Sequence, residues 1–271
     1  MSVFMLVGIG LVTGLTTVLF GFGGGFVTVP VIVWADAGLG ADAAHVAVAT
    51  STVVMVVNAG VATAATDRGT VGLLRRSKTL LFLLVVGGAV GALAARWAAG
   101  PAVQWVFVAY LAATIVDLLA RPGFLRPRAI ARSRRRGEVA GIPAALGVPI
   151  GAIAAFVGVG GSVMTVPLLR RSGHGMRTAT SLANPLTFAI TAPALGVFLV
   201  AGTHLDASAA IFLLGSVDLG AAAALLIGAL PVILILRRRP PRIPDGVHAW
   251  SHLALLVIVT AATVAASLRH A

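Results

Sequence analysis

Charge is what this chain has least of. Only 10% of its 271 residues are Asp, Glu, Lys or Arg, while 59% are hydrophobic. A soluble domain is about a quarter charged, so this chain lacks the means to cover a surface in water. Cysteine is absent altogether, which excludes disulfides and thiolate metal sites and leaves the compartment undetermined. Acidic residues number eight against 20 basic ones. No clustered nucleophile–base set or metal-ligand group is found among them, which argues against a membrane-embedded enzyme and implies no cofactor. The opening MSVFMLVGIG has no positively charged n-region, so it reads as mature structure rather than a secretory signal.

Hydrophobic length is what the chain has most of. Mean hydropathy is +1.03, and several apolar stretches approach the ~20 residues a helix needs to cross a bilayer. The net charge of +12 would suit nucleic acid if it were spread over a face. It is not: 18 of the 20 Lys and Arg sit in four short connections, around Arg68–Lys78, Arg121–Arg136, Arg170–Arg177 and Arg237–Arg242. Short loops rich in Lys and Arg mark the cytoplasmic side of a cell membrane, so nucleic acid is excluded as a partner and the bilayer takes its place.

A glycine-rich decapeptide occurs twice. GFGGGFVTVP, from Gly21 to Pro30, returns as GVGGSVMTVP, from Gly158 to Pro167, offset by 137 positions with six of ten identical. Ala49-Thr50-Ser51 follows the first copy and Ala179-Thr180-Ser181 the second. Duplicated hydrophobic segments interrupted by Gly and Pro point to the binding site of a secondary transporter.

The basic connections set the topology. Residues 2–35 and 137–169 are each too long for one ordinary span. A single crossing at 137–169 would put the Arg170–Arg177 and Arg237–Arg242 clusters outside, against the charge rule. A helical hairpin that enters, turns at the glycines and leaves by the same face keeps all four clusters inside. The predicted fold is therefore an all-α polytopic membrane protein of two inverted repeats, each a re-entrant Gly-rich hairpin plus three transmembrane helices. The N-terminal repeat covers 1–120, with its hairpin at 2–35 and helices at 43–66, 79–98 and 103–120. A basic cytoplasmic linker, 121–136, leads to the C-terminal repeat, 137–271, with its hairpin at 137–169 and helices at 178–201, 219–236 and 250–268. The acidic connection around Asp36 and Asp42 agrees with an outside location. Trp97, Trp105 and Trp250 fall near span ends, where interfacial anchors sit. Gly10-xxx-Gly14, Gly87-xxx-Gly91 and Gly147-xxx-Gly151 allow close helix contact.

The paired Gly-x-Gly-Gly-(Gly/Ser)-x-x-Thr-Val-Pro motifs, each followed by an Ala-Thr-Ser helix, resemble the TauE/SafE family of membrane transporters. The turns Asp67-Arg68-Gly69-Thr70-Val71 and Gly215-Ser216-Val217-Asp218 are similar to that family's turns. The resemblance covers essentially the whole chain, departing at Ser162, where the first copy has a third glycine, and in the arginine-rich linker. It implies export of sulfite, sulfoacetate or a related organosulfonate.

A helix that resumes after a break presents free N–H donors and about half a positive charge. Gly23, Gly24 and Gly25 in one tip, and Gly160, Gly161 and Ser162 in the other, would let backbone approach a small anionic substrate closely. Thr28, Thr50, Ser51, Asn58, Thr165, Thr180, Ser181 and Asn184 are the neutral donors available to complete the site. Hydroxyls in membrane helices also bond carbonyls one turn back, so any single one has a purely structural alternative. Asp117 is the coupling candidate, because intramembrane carboxylates are functional candidates by default; pairing with Arg121 is the competing role. His45 and His174 read as solvated. An anion channel, a carrier of another small anion and a homodimer are open alternatives.

Overall fold

The computed structural model describes residues 3–35, 43–121, 123–125, 142–200, 213–214 and 216–269. The connection with Asp36 and Asp42, Gly215 and most of the basic linker lie outside the described residues. Lipid offers no partner for a backbone N–H or C=O, so apolar segments satisfy these groups within themselves as helices. The helices are α1 (Val3–Phe20), α2 (Gly25–Ala35), α3 (Ala43–Ala64), α4 (Arg68–Gly72), α5 (Lys78–Trp97) and α6 (Gly100–Ala120). After the linker come α7 (Gly147–Phe156), α8 (Ser162–Arg171), α9 (Met176–Val200), α10 (Leu219–Arg238) and α11 (Asp245–Arg269).

Seven of these, α1, α3, α5, α6, α9, α10 and α11, are long and apolar enough to cross a membrane. The protein is multi-pass and almost entirely helical. The all-α expectation needs one amendment, a two-residue antiparallel pair of β1 (Leu213–Leu214) and β2 (Val217–Asp218) ahead of α10. Leu213 pairs with Asp218 and Leu214 with Val217. Helix α1 is also longer than a half-membrane limb: its 18 residues reach roughly 27 Å at 1.5 Å per residue.

Small residues decide which helices meet. A Cβ added at Gly14 would lie 2.5 Å from the Ala229 carbonyl oxygen, and one at Gly10 would strike Leu225. Gly228 in turn faces Val7 and Leu11, so α1 lies directly on α10. Likewise Gly87 and Gly91 face Val148 and Ala152, while Gly147 and Gly151 face the Leu80–Gly88 stretch, joining α5 to α7. Backbones in direct contact gain dispersion that bulkier residues would forfeit. Residue numbers rise together along both contacts, so α1 runs parallel to α10 and α5 parallel to α7. Helix α3, the most buried span, packs on α9 at the centre. Exchanging α1, α2, α3, α5 and α6 for α7, α8, α9, α10 and α11 maps each main contact onto another. The α1–α10 contact becomes α7–α5, α5–α9 becomes α10–α3, and α2–α3 becomes α8–α9.

Ion pairs fasten one end. Arg170, placed by the sequence in a short basic connection, instead closes the last turn of α8 with its side chain fully buried. Its guanidinium donates to the Phe124 carbonyl at 2.7 and 3.1 Å and to Asp245 Oδ2 at 2.7 Å. A buried charge must be paired and hydrogen-bonded to be tolerated. Arg171 reaches Asp117 at 2.7 Å, and Arg121 reaches the same carboxylate at 3.1 Å. Asp117 is thus held in an ion-pair cluster with two arginines. His45 likewise bonds the Ala98 carbonyl at 2.9 Å instead of facing water alone, tying the start of α3 to the end of α5. Asp67 and Asp218 cap α4 and α10 through Thr70 N and Ala221 N. Trp97, Trp105 and Trp250 are all exposed.

Candidate anion site at two glycine tips

Both glycine motifs break their helices. Helix α1 stops at Phe20 and α2 resumes at Gly25; α7 stops at Phe156 and α8 resumes at Ser162. Gly21, Gly23 and Gly24 have φ of 74, 65 and 102°, and Gly158 and Gly160 have 68 and 77°. Residues with a Cβ rarely adopt this left-handed region, which is why the breaks are written in glycine. Gly25 is required by space instead, whereas Gly161 is crowded only by the flexible end of a side chain. A Cβ on Gly25 would sit 2.5 Å from the Gly158 carbonyl oxygen of the other tip, and one on Gly161 would press on Ile190.

The two tips converge. A Cβ on Gly23 would meet Thr187 Cγ2 at 2.9 Å and Met55 at 3.5 Å; one on Gly160 would meet the same two side chains at 2.8 and 3.1 Å. Met55 and Thr187 lie midway along α3 and α9. Each tip also rests on a long helix from the other half of the chain. Ser51 Oγ donates to the Gly158 carbonyl at 3.0 Å, while Gly21 lies against the Thr180 carbonyl and Ala183.

Donors remain unspent there. Val27 and Thr28 return their N–H groups to Gly24 O, and Met164 and Thr165 return theirs to Gly161 O. The amides of Gly25, Phe26, Ser162 and Val163 make no such bond among the described residues, as expected for the first turn of a helix. Around them, Thr13 Oγ1, both Asn58 side-chain atoms, Ser162 Oγ, Thr165 Oγ1 and Thr187 Oγ1 are buried without a partner. A Cβ at Gly24 would touch both Thr13 and Asn58, which places those two at the first tip. Each unpartnered buried polar atom costs about 1–3 kcal/mol. A polar solute bound between the tips would offset that cost.

Gly23, Gly24, Gly25, Gly160, Gly161, Ser162, Thr165 and Asn58 therefore come together. Other sequence candidates sit in the supports. Thr28 bonds Gly24 O at 2.8 Å within its own helix, and Ser51 braces the second tip. Thr50 accepts from Asp218 N at 2.9 Å. Thr180 donates to the Arg177 carbonyl, and Ser181 accepts from Arg237 at 3.3 Å. Asn184 donates to the Thr180 carbonyl and leaves its own Oδ1 buried and unpartnered. Sequence reasoning missed Thr13, Met55 and Thr187. Thr187 was within reach: it follows Thr180 by seven residues and Asn184 by three, the spacing of one helix face.

A cavity of about 840 Å³ opens among the helix ends that carry the basic residues. Arg177, Arg237, Arg242, Asp67, Thr180 and Ser181 line it, and it reaches Val18 and Leu19 at the end of α1. Leu19 stands two residues before Gly21, where the first tip begins.

The family described as sulfite exporter TauE/SafE matches residues 6–263 of the chain. No curated protein and no solved structure gives a significant match.

Proposed function

Because the chain belongs to the sulfite exporter TauE/SafE family, we propose that it carries a small sulfur oxyanion or organosulfonate out of the cell by alternating access, holding it between the two glycine tips. The observation that carries this reading is the cluster of unpartnered buried donors where Gly23 and Gly160 meet Thr187. Neutral hydroxyls, an amide and two helix N-termini can hold an anion without a buried arginine. This matters because a fixed positive charge at mid-membrane would be costly and would retain the substrate.

The same reading divides the chain into an N-terminal repeat, 1–120, and a C-terminal repeat, 137–271, inverted about the membrane plane. The exchange pattern of helix contacts supports it, as do the two parallel pairs. Helix α10 ends at the basic face and α5 begins there. Their parallel partners α1 and α7 then enter from opposite faces, as two oppositely directed hairpins require. With basic loops in the cytoplasm, the 840 Å³ cavity is the inward vestibule of a cell-membrane protein. Single cysteines at Ser172 and at Ser133, the latter outside the described residues, are both expected to react with an impermeant maleimide only from the cytoplasmic side. Labelling of Ser172→Cys from outside would overturn the second hairpin.

The membrane potential drives the outward step. Moving one negative charge out of a cell with a negative interior gains ~2.3 kcal/mol per 100 mV, and a dianion gains about twice that. Uniport efflux thus needs no coupling ion. Purified protein in liposomes is expected to show saturable sulfite flux, accelerated by the matching voltage and capable of counterflow. Unsaturable flux with single-channel currents would favour the anion channel, and flux of other small anions with none of sulfite would reassign the substrate.

A further inference from the structure

The basic vestibule contains an arginine with one edge unused. Arg237, at the end of α10, donates from Nη1 to Ser181 Oγ at 3.3 Å, while its Nε and Nη2 are buried without a hydrogen-bond partner. Those two N–H groups leave one edge of the planar guanidinium side by side, the fork that matches two oxygens of an oxyanion. No described carboxylate pairs with Arg237: Asp67, the acid lining the same cavity, is committed to Thr70 N as the cap of α4. Arg177 and Arg242 line the cavity beside it. Three arginines against one aspartate make a site that attracts anions and favours two negative charges over one.

Position gives the fork a use. Ser181, which holds Arg237, is next in sequence to Thr180, whose carbonyl lies against Gly21 of the first tip. We propose that Arg237, oriented by Ser181, is a docking subsite at the basic mouth that takes a small oxyanion presenting two oxygens, such as sulfite or a sulfonate, before it moves to the tips. This subsite rests on the transport reading of the tips for its place in a cycle, but not for its chemistry. Binding follows from the fork and the surrounding charge alone.

The test compares Arg237→Lys with Arg237→Gln. Lysine keeps the charge but not the fork. In proteoliposomes, both variants are expected to raise the KM for sulfite presented to the basic face by about 10- to 100-fold with kcat little changed. Thermal stability should be unaltered, since most of the guanidinium edge has no partner to lose. Wild-type KM in Arg237→Lys would overturn the fork, leaving the arginine as a simple membrane-side charge. Calorimetric titration of the detergent-solubilised proteins with sulfite and acetate separates this outcome from failure of the exporter reading. A wild-type protein that transports no sulfite yet binds it, with binding lost in Arg237→Lys, keeps the subsite and sinks the exporter. Equal sulfite binding by all three proteins, or none by the wild type, sinks the subsite.

Discussion

Gly161→Val is expected to insert and fold normally yet lose at least about 100-fold of sulfite flux, and Gly24→Val to lose as much flux together with some stability. The magnitude corresponds to losing two hydrogen bonds to a charged ligand, each about 1.5–3 kcal/mol, at tenfold per 1.4 kcal/mol. Gly161 is the cleaner position. Its φ is not in the left-handed region, and an added Cβ meets only the flexible end of Ile190 at close range. Valine there leaves the backbone course available while placing methyl groups over the first amides of α8. Gly24 is the harsher test, because its φ of 102° disfavours a β-branched residue and a Cβ would press on Thr13 and Asn58. Flux measured alongside surface expression and thermal unfolding decides the matter. Wild-type flux from correctly inserted Gly161→Val would overturn an anion site built on the tips.

Thr187→Val should separate stability from transport. The substitution keeps the shape of the side chain and removes a hydroxyl that is buried without a partner beside both tips. An unpartnered buried hydroxyl destabilises the fold, so its loss should leave the melting temperature unchanged or raise it. If the hydroxyl serves the anion, kcat/KM for sulfite should fall by about 10- to 100-fold. A merely structural threonine would show the opposite pattern, with stability lowered and transport kept. Thr191 is the internal control: it lies one turn further along α9 and already donates to the Thr187 carbonyl at 2.9 Å, so Thr191→Val should cost stability rather than flux.

Much of this is legible in the amino-acid sequence. The membrane class follows from too little charge and too much apolar length, because lipid leaves backbone groups no partner outside their own helix. The duplicated decapeptide announced both breaks, since glycine in an apolar run is conspicuous and its left-handed φ has few substitutes. Neighbouring side chains were harder. Ala-Thr-Ser is duplicated as faithfully as the glycines, yet Thr50 turned out to serve Asp218 and Ser181 to hold Arg237. Similarity along the chain reports shared backbone geometry, not which side chain faces the gap. Arg170 misled for a related reason. A charge beside other charges reads as a loop, and only Phe124 and Asp245, distant in sequence, explain how it is buried.

The amino-acid order alone determined that this chain spans a membrane as helices, that it is broken twice by glycine, and that its basic charge gathers in four short connections. Those are consequences of local properties: hydropathy, the conformational reach of glycine and the position of arginine. Folding in three dimensions decided the rest. It brought Gly23 and Gly160 to one threonine on α9, left Asn58 and Thr187 without partners, and exposed the α10 end to a cavity beside Ser181. Such facts depend on contacts between residues on different helices, from 27 positions apart (Gly160 and Thr187) to 164 (Gly23 and Thr187), and no short-range pattern encodes which buried donor goes unpaired.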